Sequence, residues 1–167
     1  AGHGALTRDI QGATQVVSRT LSLSDVEEPA GNGQIAWMAG EFRYVGAKYD
    51  MARHAFLGFE FVHMFQPQRQ LRTITEYEQV FPRTGAALQE LSQHAAGWNP
   101  FYSPGTTLSH KTFTTTASSV SHGPGWFPWM PDRTTYRVEL TATREELHEF
   151  SVGGQLVTTV DRSMQTD

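Results

Sequence analysis

The stretch that decides the fold is Thr135–Val160, which reads TYRVELTATREELHEFSVGGQLVTTV. Its first part, Thr135–Thr143, alternates strictly between apolar and polar side chains. Such alternation is typical of a β-strand with one face in a core, because successive side chains of a strand point to opposite faces. The side chains expected to point inward are Tyr136, Val138, Leu140 and Ala142.

A β-hairpin is predicted at the end of this stretch. Leu147–Val152 repeats the apolar alternation, Gly153 and Gly154 follow, and Gln155–Val160 forms a second short apolar run. A tight turn between two twisted strands needs residues with positive φ, which glycine adopts without strain. The two glycines therefore predict the turn of a hairpin.

Outward from this hairpin, most of the remaining chain also predicts strands. The segments are rich in Thr, Val, Ile and aromatic residues, and they are separated by Gly- and Pro-containing turns. These predicted strands are Thr14–Leu23, Gln34–Val45, Ala55–Phe65, Leu71–Phe81 and Thr106–Val120. In Gln34–Val45, Gly40 is a candidate bulge.

One short helix is predicted over Thr84–Ala96. Thr84 can cap its first turn, Leu88 and Leu91 form a short apolar stripe, and Gly97 stands at the position of a C-terminal glycine cap. We expect this helix to pack over an edge or an end of the sheet.

The fold class that follows is all-β. Seven to nine strands, one helix and no visible repeat predict an antiparallel jelly-roll-type β-sandwich, with a closed lipocalin-like β-barrel as the alternative. The length of 167 residues fits a single domain over 1–167. Residues 1–12 are expected to be a flexible arm and residues 161–167 a frayed tail.

The same C-terminal stretch resembles the closing strands of concanavalin A-like lectin/glucanase and laminin-G-type sandwiches. In that pattern a Tyr-x-Val/Ile strand is followed by a short polar turn, which here would come after Thr143. A strand that ends in a Val-Asp-Gly-like turn and a short Leu-Val strand then follow. Here the turn is Val152-Gly153-Gly154-Gln155, so the acidic residue is missing. The resemblance covers about one-sixth of the chain and implies a jelly-roll sandwich and glycan recognition. The Glu-x-Asp-x-x-Glu strand of the hydrolases in that superfamily is absent, so no catalytic role is carried over.

Composition excludes several classes of function. There is no cysteine, which rules out disulfides, thiol catalysis and Cys-ligated metals. The net charge is -4 and no run of Lys or Arg occurs, which disfavours nucleic acid as a partner. No apolar run reaches the length of a membrane span. The first residue is Ala rather than Met, so we expect a processed or trimmed chain or a piece of a longer protein.

Two aromatic, proline-punctuated loops form the candidate binding site. Flat rings on such loops can stack on the faces of sugars or hold apolar ligands, and proline restricts the loop at low entropic cost. The same rings could instead plug the ends of the sandwich, since most large aromatic side chains are structural. The candidate ligand-binding residues are Trp98, Phe101 and Tyr102 in the first loop, and Trp126, Phe127 and Trp129 in the second.

Polar groups with the potential for chemistry are scattered. His63 lies at the end of an apolar strand face and is a candidate acid or base. Glu76 and Glu78 are expected to share a strand face. Glu60 is expected to point to the face opposite Phe59, toward water. Neither a metal-binding spacing nor a nucleophile motif is present, so no catalytic residue, metal or cofactor is predicted.

Three functions are compatible with these features. The first is a non-catalytic recognition module that binds a glycan or a protein surface through its loop aromatics. The second is a small barrel that binds or cyclises an apolar molecule, with a cavity lined by Trp37, Phe59, Phe61, Met64 and Phe65. The third is a jelly-roll subunit of a virion or other particle, with a homo-oligomer or larger assembly as partner. An enzyme with an ordinary polar site is a weaker alternative, and no compartment is indicated.

Overall fold

A computed structural model describes residues 7–9, 16–27, 35–95, 99–102, 104–122 and 133–165. These parts of the chain form eleven strands and one short 3-10 turn, Pro67–Arg69. The strands are β1 Thr7–Asp9, β2 Arg19–Glu27, β3 Ile35–Val45, β4 Lys48–Asp50, β5 Ala55–Gly58, β6 Phe61–Gln66, β7 Leu71–Tyr77, β8 Ala87–His94, β9 Thr106–His122, β10 Arg133–Phe150 and β11 Leu156–Gln165.

The strands pair into two antiparallel sheets. The large sheet has eight strands in the order β11-β10-β9-β8-β7-β6-β3-β2, and the small sheet has three in the order β1-β4-β5. Among the described strands of the large sheet, β3 and β6 are the one pair of neighbours that do not follow each other along the chain. The strands between them in the sequence, β4 and β5, belong to the small sheet. The all-β, antiparallel, sandwich-like class predicted from the sequence is confirmed.

The large sheet is open. Strands β2 and β11 lie at its two ends, and each pairs with one neighbour only among the described strands. The closed-barrel alternative is therefore wrong. A barrel requires the first and last strands to pair with each other.

The predicted helix over Thr84–Ala96 is also wrong, because its central part is the strand β8. Both neighbours bind this strand: Leu91 is paired with Ile74 of β7 and with His110 of β9. A segment placed between two strands satisfies all its backbone groups by pairing, and this tertiary context overrides local helix propensity.

The predicted strand Ala55–Phe65 is divided into β5 and β6, which belong to different sheets. The chain turns at Gly58, whose φ is +85°, and the amide of Glu60 donates to the carbonyl oxygens of Val45 and Gly46. Phe59 is therefore not on a common strand face with Phe61 and Phe65, and Met64 points to the opposite side of β6. These side chains do not enclose a cavity together.

The hairpin at Gly153 and Gly154 is confirmed. The amide of Ser151 donates to the carbonyl oxygen of Gln155, and Gly154 has a φ of +76°. The strand before it is longer than the sequence predicts, because the polar residues expected to form a turn after Thr143 continue in β10. The strand after it runs to Gln165, into the segment predicted as a tail.

Two other predictions concern the start of the chain and Gly40. Within the predicted arm, the three described residues form β1, and Thr7 pairs with Asp50 of β4. Gly40 lies opposite Thr20 in regular pairing, with no bulge at this position. A Cβ atom at Gly40 would lie 2.9 Å from the Thr20 hydroxyl, so glycine permits close strand approach here.

Little apolar surface is enclosed in the described part of the chain. The buried hydrophobic residues there are Ala39, Leu57, Phe65 and Ala95, and no large side chain is completely enclosed. Directly paired residues of neighbouring strands share a face. The face of the large sheet that carries Arg72 is here called the Arg72 face. The opposite face, which carries Phe113, is called the Phe113 face.

Candidate functional site

The first predicted aromatic loop lies on the Arg72 face. The ring of Phe101 packs edge-on against Phe65 of β6, with 6.2 Å between the ring centroids. Tyr102 is 63% exposed, and the Arg43 guanidinium lies 4.3 Å from the centre of its ring. The other predicted site residues, Trp98, Trp126, Phe127 and Trp129, lie outside the described residues.

A buried arginine attaches this loop to the sheet. Arg72 of β7 is 6% exposed; its Nη1 donates to the carbonyl oxygen of Pro100 at 2.9 Å, and its Nη2 donates to Oε1 of Gln93. Its Nε has no hydrogen-bond partner among the residues that the structure describes. The close approach of the chain at Gly105, where a Cβ atom would lie 3.2 Å from Nη2, encloses the guanidinium further. Arg72 therefore positions Phe101 and Tyr102 against the sheet.

The candidate acid or base, His63, lies beside this arginine. Burial lowers the pKa of His63 below its usual range, and the charges of Arg72 and Arg43 lower it further. Its Nδ1 is buried without a hydrogen-bond partner. A neutral imidazole enclosed among guanidinium groups is suited to structural packing, because no described carboxylate orients it for proton transfer.

The predicted carboxylate pair does not form a site. Glu76 accepts a hydrogen bond from Nε2 of Gln89, whereas Glu78 lies beyond the end of β7 and pairs with Arg83 at 3.5 Å. Glu60 lies 4.0 Å from the Lys48 amine. Over the described ranges, no three His, Asp or Glu side chains are grouped to hold a metal ion.

The most unusual surface lies on a projecting pair of strands. Beyond Thr112, β9 has no described partner in β8, and before Ala142, β10 has none in β11. Residues 113–122 and 133–141 therefore form a two-stranded ribbon, here called the β9–β10 ribbon, whose outer edges pair with no other described strand. Two-stranded ribbons are marginally stable in water unless something packs against them.

One face of this ribbon is apolar and exposed. The exposed fractions are 47% for Tyr136, 37% for Val138 and 46% for Leu140. The sequence predicts these three residues to point into a core, and for the described part of the molecule this is wrong. They do share one face, but no second sheet covers them within the part of the chain that the structure describes. On the opposite face, Arg137 and Glu139 form an ion pair of 2.6 Å.

The base of the apolar face forms a groove on the Phe113 side of the sheet. Val138 and Leu140 form one wall, Gly85, Ala86 and Ala87 the other, and Phe113 the floor, with a volume of about 460 Å³. At the outer end, the ring of Phe81 packs edge-on against Tyr136 at 4.7 Å. The groove is open to solvent along its length.

Sequence reasoning missed this surface, although it placed Tyr136, Val138 and Leu140 on one face correctly. Ala142, predicted to share that face, lies on the opposite one, because the register shifts between Leu140 and Ala142. Alternation in β10 shows which side chains share a face but not what covers them. A signal was present in the partner strand: residues 114–121 read TTTASSVS, which offers Ala117 and small hydroxyl side chains opposite Val138 and its neighbours. A strand of this composition contributes little to a core.

The fold and surfaces define a class: an all-β protein built on one open antiparallel sheet with a projecting two-stranded ribbon. Comparison with known proteins adds nothing to this description, since no family model, curated protein or solved structure matches the chain. Within the described residues, no helix is long and apolar enough to cross a membrane.

Proposed function

We propose that this chain is a subunit of a protein assembly in which copies associate through the apolar face of the β9–β10 ribbon. The observation that carries the proposal is the exposure of Tyr136, Val138 and Leu140 in one continuous row. A row of apolar side chains on a projecting strand is costly in water and is typical of an interface.

The ribbon itself supports the same conclusion. It has no third strand along the described residues, and two strands without such support are marginally stable in water. Packing of a second copy against the apolar face would enclose the groove beside Phe113 and remove the ribbon side chains from water. An interface formed by identical surfaces on two copies is the commonest arrangement in homo-oligomers.

The test replaces two apolar side chains by threonine, which keeps the strand preference of the ribbon. The V138T/L140T variant should be less associated than the parent chain at the same concentrations, with the single-chain mass of 18.6 kDa as the lower limit. Burial of a Val or Leu side chain contributes about 1.5–3 kcal/mol, so the association constant should fall at least about tenfold. Sedimentation velocity across a concentration series measures this change.

The matched control places threonine at the two positions between them, as R137T/E139T. These side chains lie on the opposite, polar face of the same strand. The control should associate like the parent chain. A parent chain that stays monomeric at every concentration, or equal weakening in both variants, would contradict the proposed interface.

A recognition module remains a second candidate because of Tyr102. Its exposed ring, held beside the Arg43 guanidinium, presents an aromatic face and a cation together. Such a pair can stack on a sugar ring or bind a protein surface. Titration with glycans, followed by tryptophan fluorescence, should show saturation that Tyr102→Ala abolishes and Tyr136→Ala does not. Silence toward the glycans would count against this candidate.

A further inference from the structure

The outer edge of the large sheet is a long, uncovered strand. β11 has ten residues, stands at the end of the strand order and is exposed at every position except Val160, which is half-buried. Its outward backbone N–H and C=O groups have no strand to pair with in the described chain. An edge of this kind is a template for pairing with another strand.

A second copy of β11 can pair with it about a two-fold axis perpendicular to the sheet. This axis keeps each side chain on its own face of the sheet, so only residues of the same face can lie directly opposite each other. The axis lies midway between the two strands. Because faces alternate along each strand, the axis must be level with one residue of each copy and cannot be level with a point between two residues. Each register is therefore defined by its central residue.

Length reduces the choice to two registers. Only centres at Val160 or Asp161 pair nine of the ten residues of β11. A centre at Asp161 places that carboxylate directly opposite its own copy, and like charges in this position are destabilising. A centre at Val160 instead places apolar against apolar at the axis.

The other pairs of the Val160 register are also compatible. Leu156 lies opposite Met164 of the second copy, Thr158 opposite Arg162, and Thr159 opposite Asp161. Thr158, which lies opposite Arg162 of the second copy, is paired within its own chain with Glu149 of β10. Arg162 of one chain therefore lies in one row across the strands with Thr158 and Glu149 of the other. Arg162 has no ion pair among the described residues. The register therefore adds Glu149 of the second copy to a row in which Arg162 already lies directly opposite Glu145 of its own chain.

We propose that two copies of this chain pair antiparallel through β11, with the two-fold axis at Val160, and so join two eight-stranded sheets into one. The inference rests on the proposed role as an assembly subunit but uses a surface different from the ribbon. Two separate self-complementary surfaces on one chain permit growth beyond a dimer.

Cysteine cross-linking tests the register, and the parent chain has no cysteine to interfere. In V160C the two thiols would be directly opposite, within the Cα separation that a disulfide spans. In D161C the two Cα atoms would be about 8 Å apart, from the strand spacing and rise, which is too far. Mild oxidation should therefore yield a covalent dimer from V160C and little from D161C.

A mixed sample of T159C and D161C provides a second test at exposed positions, where folding is not at risk. These residues lie opposite each other across the axis, so the mixture should cross-link at least about tenfold faster than D161C alone, in line with the disulfide distance limit. Faster cross-linking of D161C than of V160C would overturn the register. Absence of cross-linking in both V160C and the mixture would overturn pairing through β11.

The outcome is distinguishable from failure of the ribbon interface. Cross-linking of V160C should persist when V138T/L140T is added, because the two surfaces are separate. If V138T/L140T leaves association unchanged while V160C cross-links, the ribbon proposal fails and this one stands. If the parent chain associates and loses association in V138T/L140T, but V160C does not cross-link, the ribbon stands and this one fails.

Discussion

At the scale of single residues, the most informative group is His63. Its imidazole is partly enclosed on the Arg72 face, and burial followed by the charges of Arg72 and Arg43 lowers its pKa from the usual 6.5. The folded chain therefore holds His63 neutral at a pH where the unfolded chain has already bound a proton. Stability that depends on this difference is complete above pH 6.5 and declines as the pH falls below it.

The prediction is that His63→Gln removes this part of the pH dependence. Glutamine keeps a polar side chain at the position but cannot take up a proton. The parent chain should lose free energy of unfolding between pH 7.5 and pH 5, roughly the range around the usual imidazole value, and the variant should lose less. Urea unfolding at low protein concentration measures both, and His94→Gln, at an exposed position of β8, is the control. A variant slope equal to that of the parent chain would contradict the assignment.

Residue-level prediction from the sequence succeeded where one residue type has one physical reason to be present. Gly154 is such a case, because a positive φ is required in the hairpin turn. The same reasoning could not reveal the buried Arg72, since nothing in LRTITEY distinguishes an arginine that binds a distant carbonyl oxygen from one that faces water. Arg72 is separated from Pro100 by 28 residues in the chain.

At the scale of elements, the hairpin between β10 and β11 permits a matched pair of variants. Gly154→Ala should destabilise the chain by about 1 kcal/mol, because alanine resists the φ of +76° found there. Gly153 does not have positive φ, and a Cβ atom there would meet only the Ser151 hydroxyl, at the ordinary distance of 3.8 Å. Gly153→Ala should therefore have a smaller effect in the same thermal melts. Equal losses would mean that the turn differs from the one described.

The element that the sequence misassigned shows what local pattern omits. Thr84–Ala96 has a residue that could cap a helix, two leucines at helical spacing and a glycine after it, and yet Ala87–His94 is a strand. The Thr84 hydroxyl caps no helix and is buried without a hydrogen-bond partner among the described residues. Strands β7 and β9 both pair with β8, and a helix here would leave the facing edges of those two strands unpaired. Pairing with strands on both sides depends on the whole sheet and cannot be deduced from these thirteen residues alone.

At the scale of the whole molecule, the sequence predicted the class of the fold and the common face of Tyr136, Val138 and Leu140, but not that this face is exposed. Thr135–Thr143 alternates as a core strand does, and its apolar face is exposed in the single chain. In the proposed assembly, a second copy would complete the core predicted from the pattern. The alternation would then describe the assembled molecule rather than the isolated chain.

This view predicts a gradient of backbone protection across the large sheet. Amides of β7 and β8, which are paired on both sides, should exchange most slowly with solvent. Amides of residues 113–122 and 133–141 should exchange rapidly in dilute protein, because the ribbon has no third strand among the described residues. Raising the concentration should slow exchange in the ribbon and in β11 and leave β7 and β8 unchanged.

Hydrogen exchange measured by mass spectrometry at two protein concentrations tests this prediction. In the V138T/L140T variant, the ribbon should stay unprotected at both concentrations. A ribbon already protected in the dilute monomer would show that its apolar face is covered within one chain, and the assembly proposal would then lose its main support.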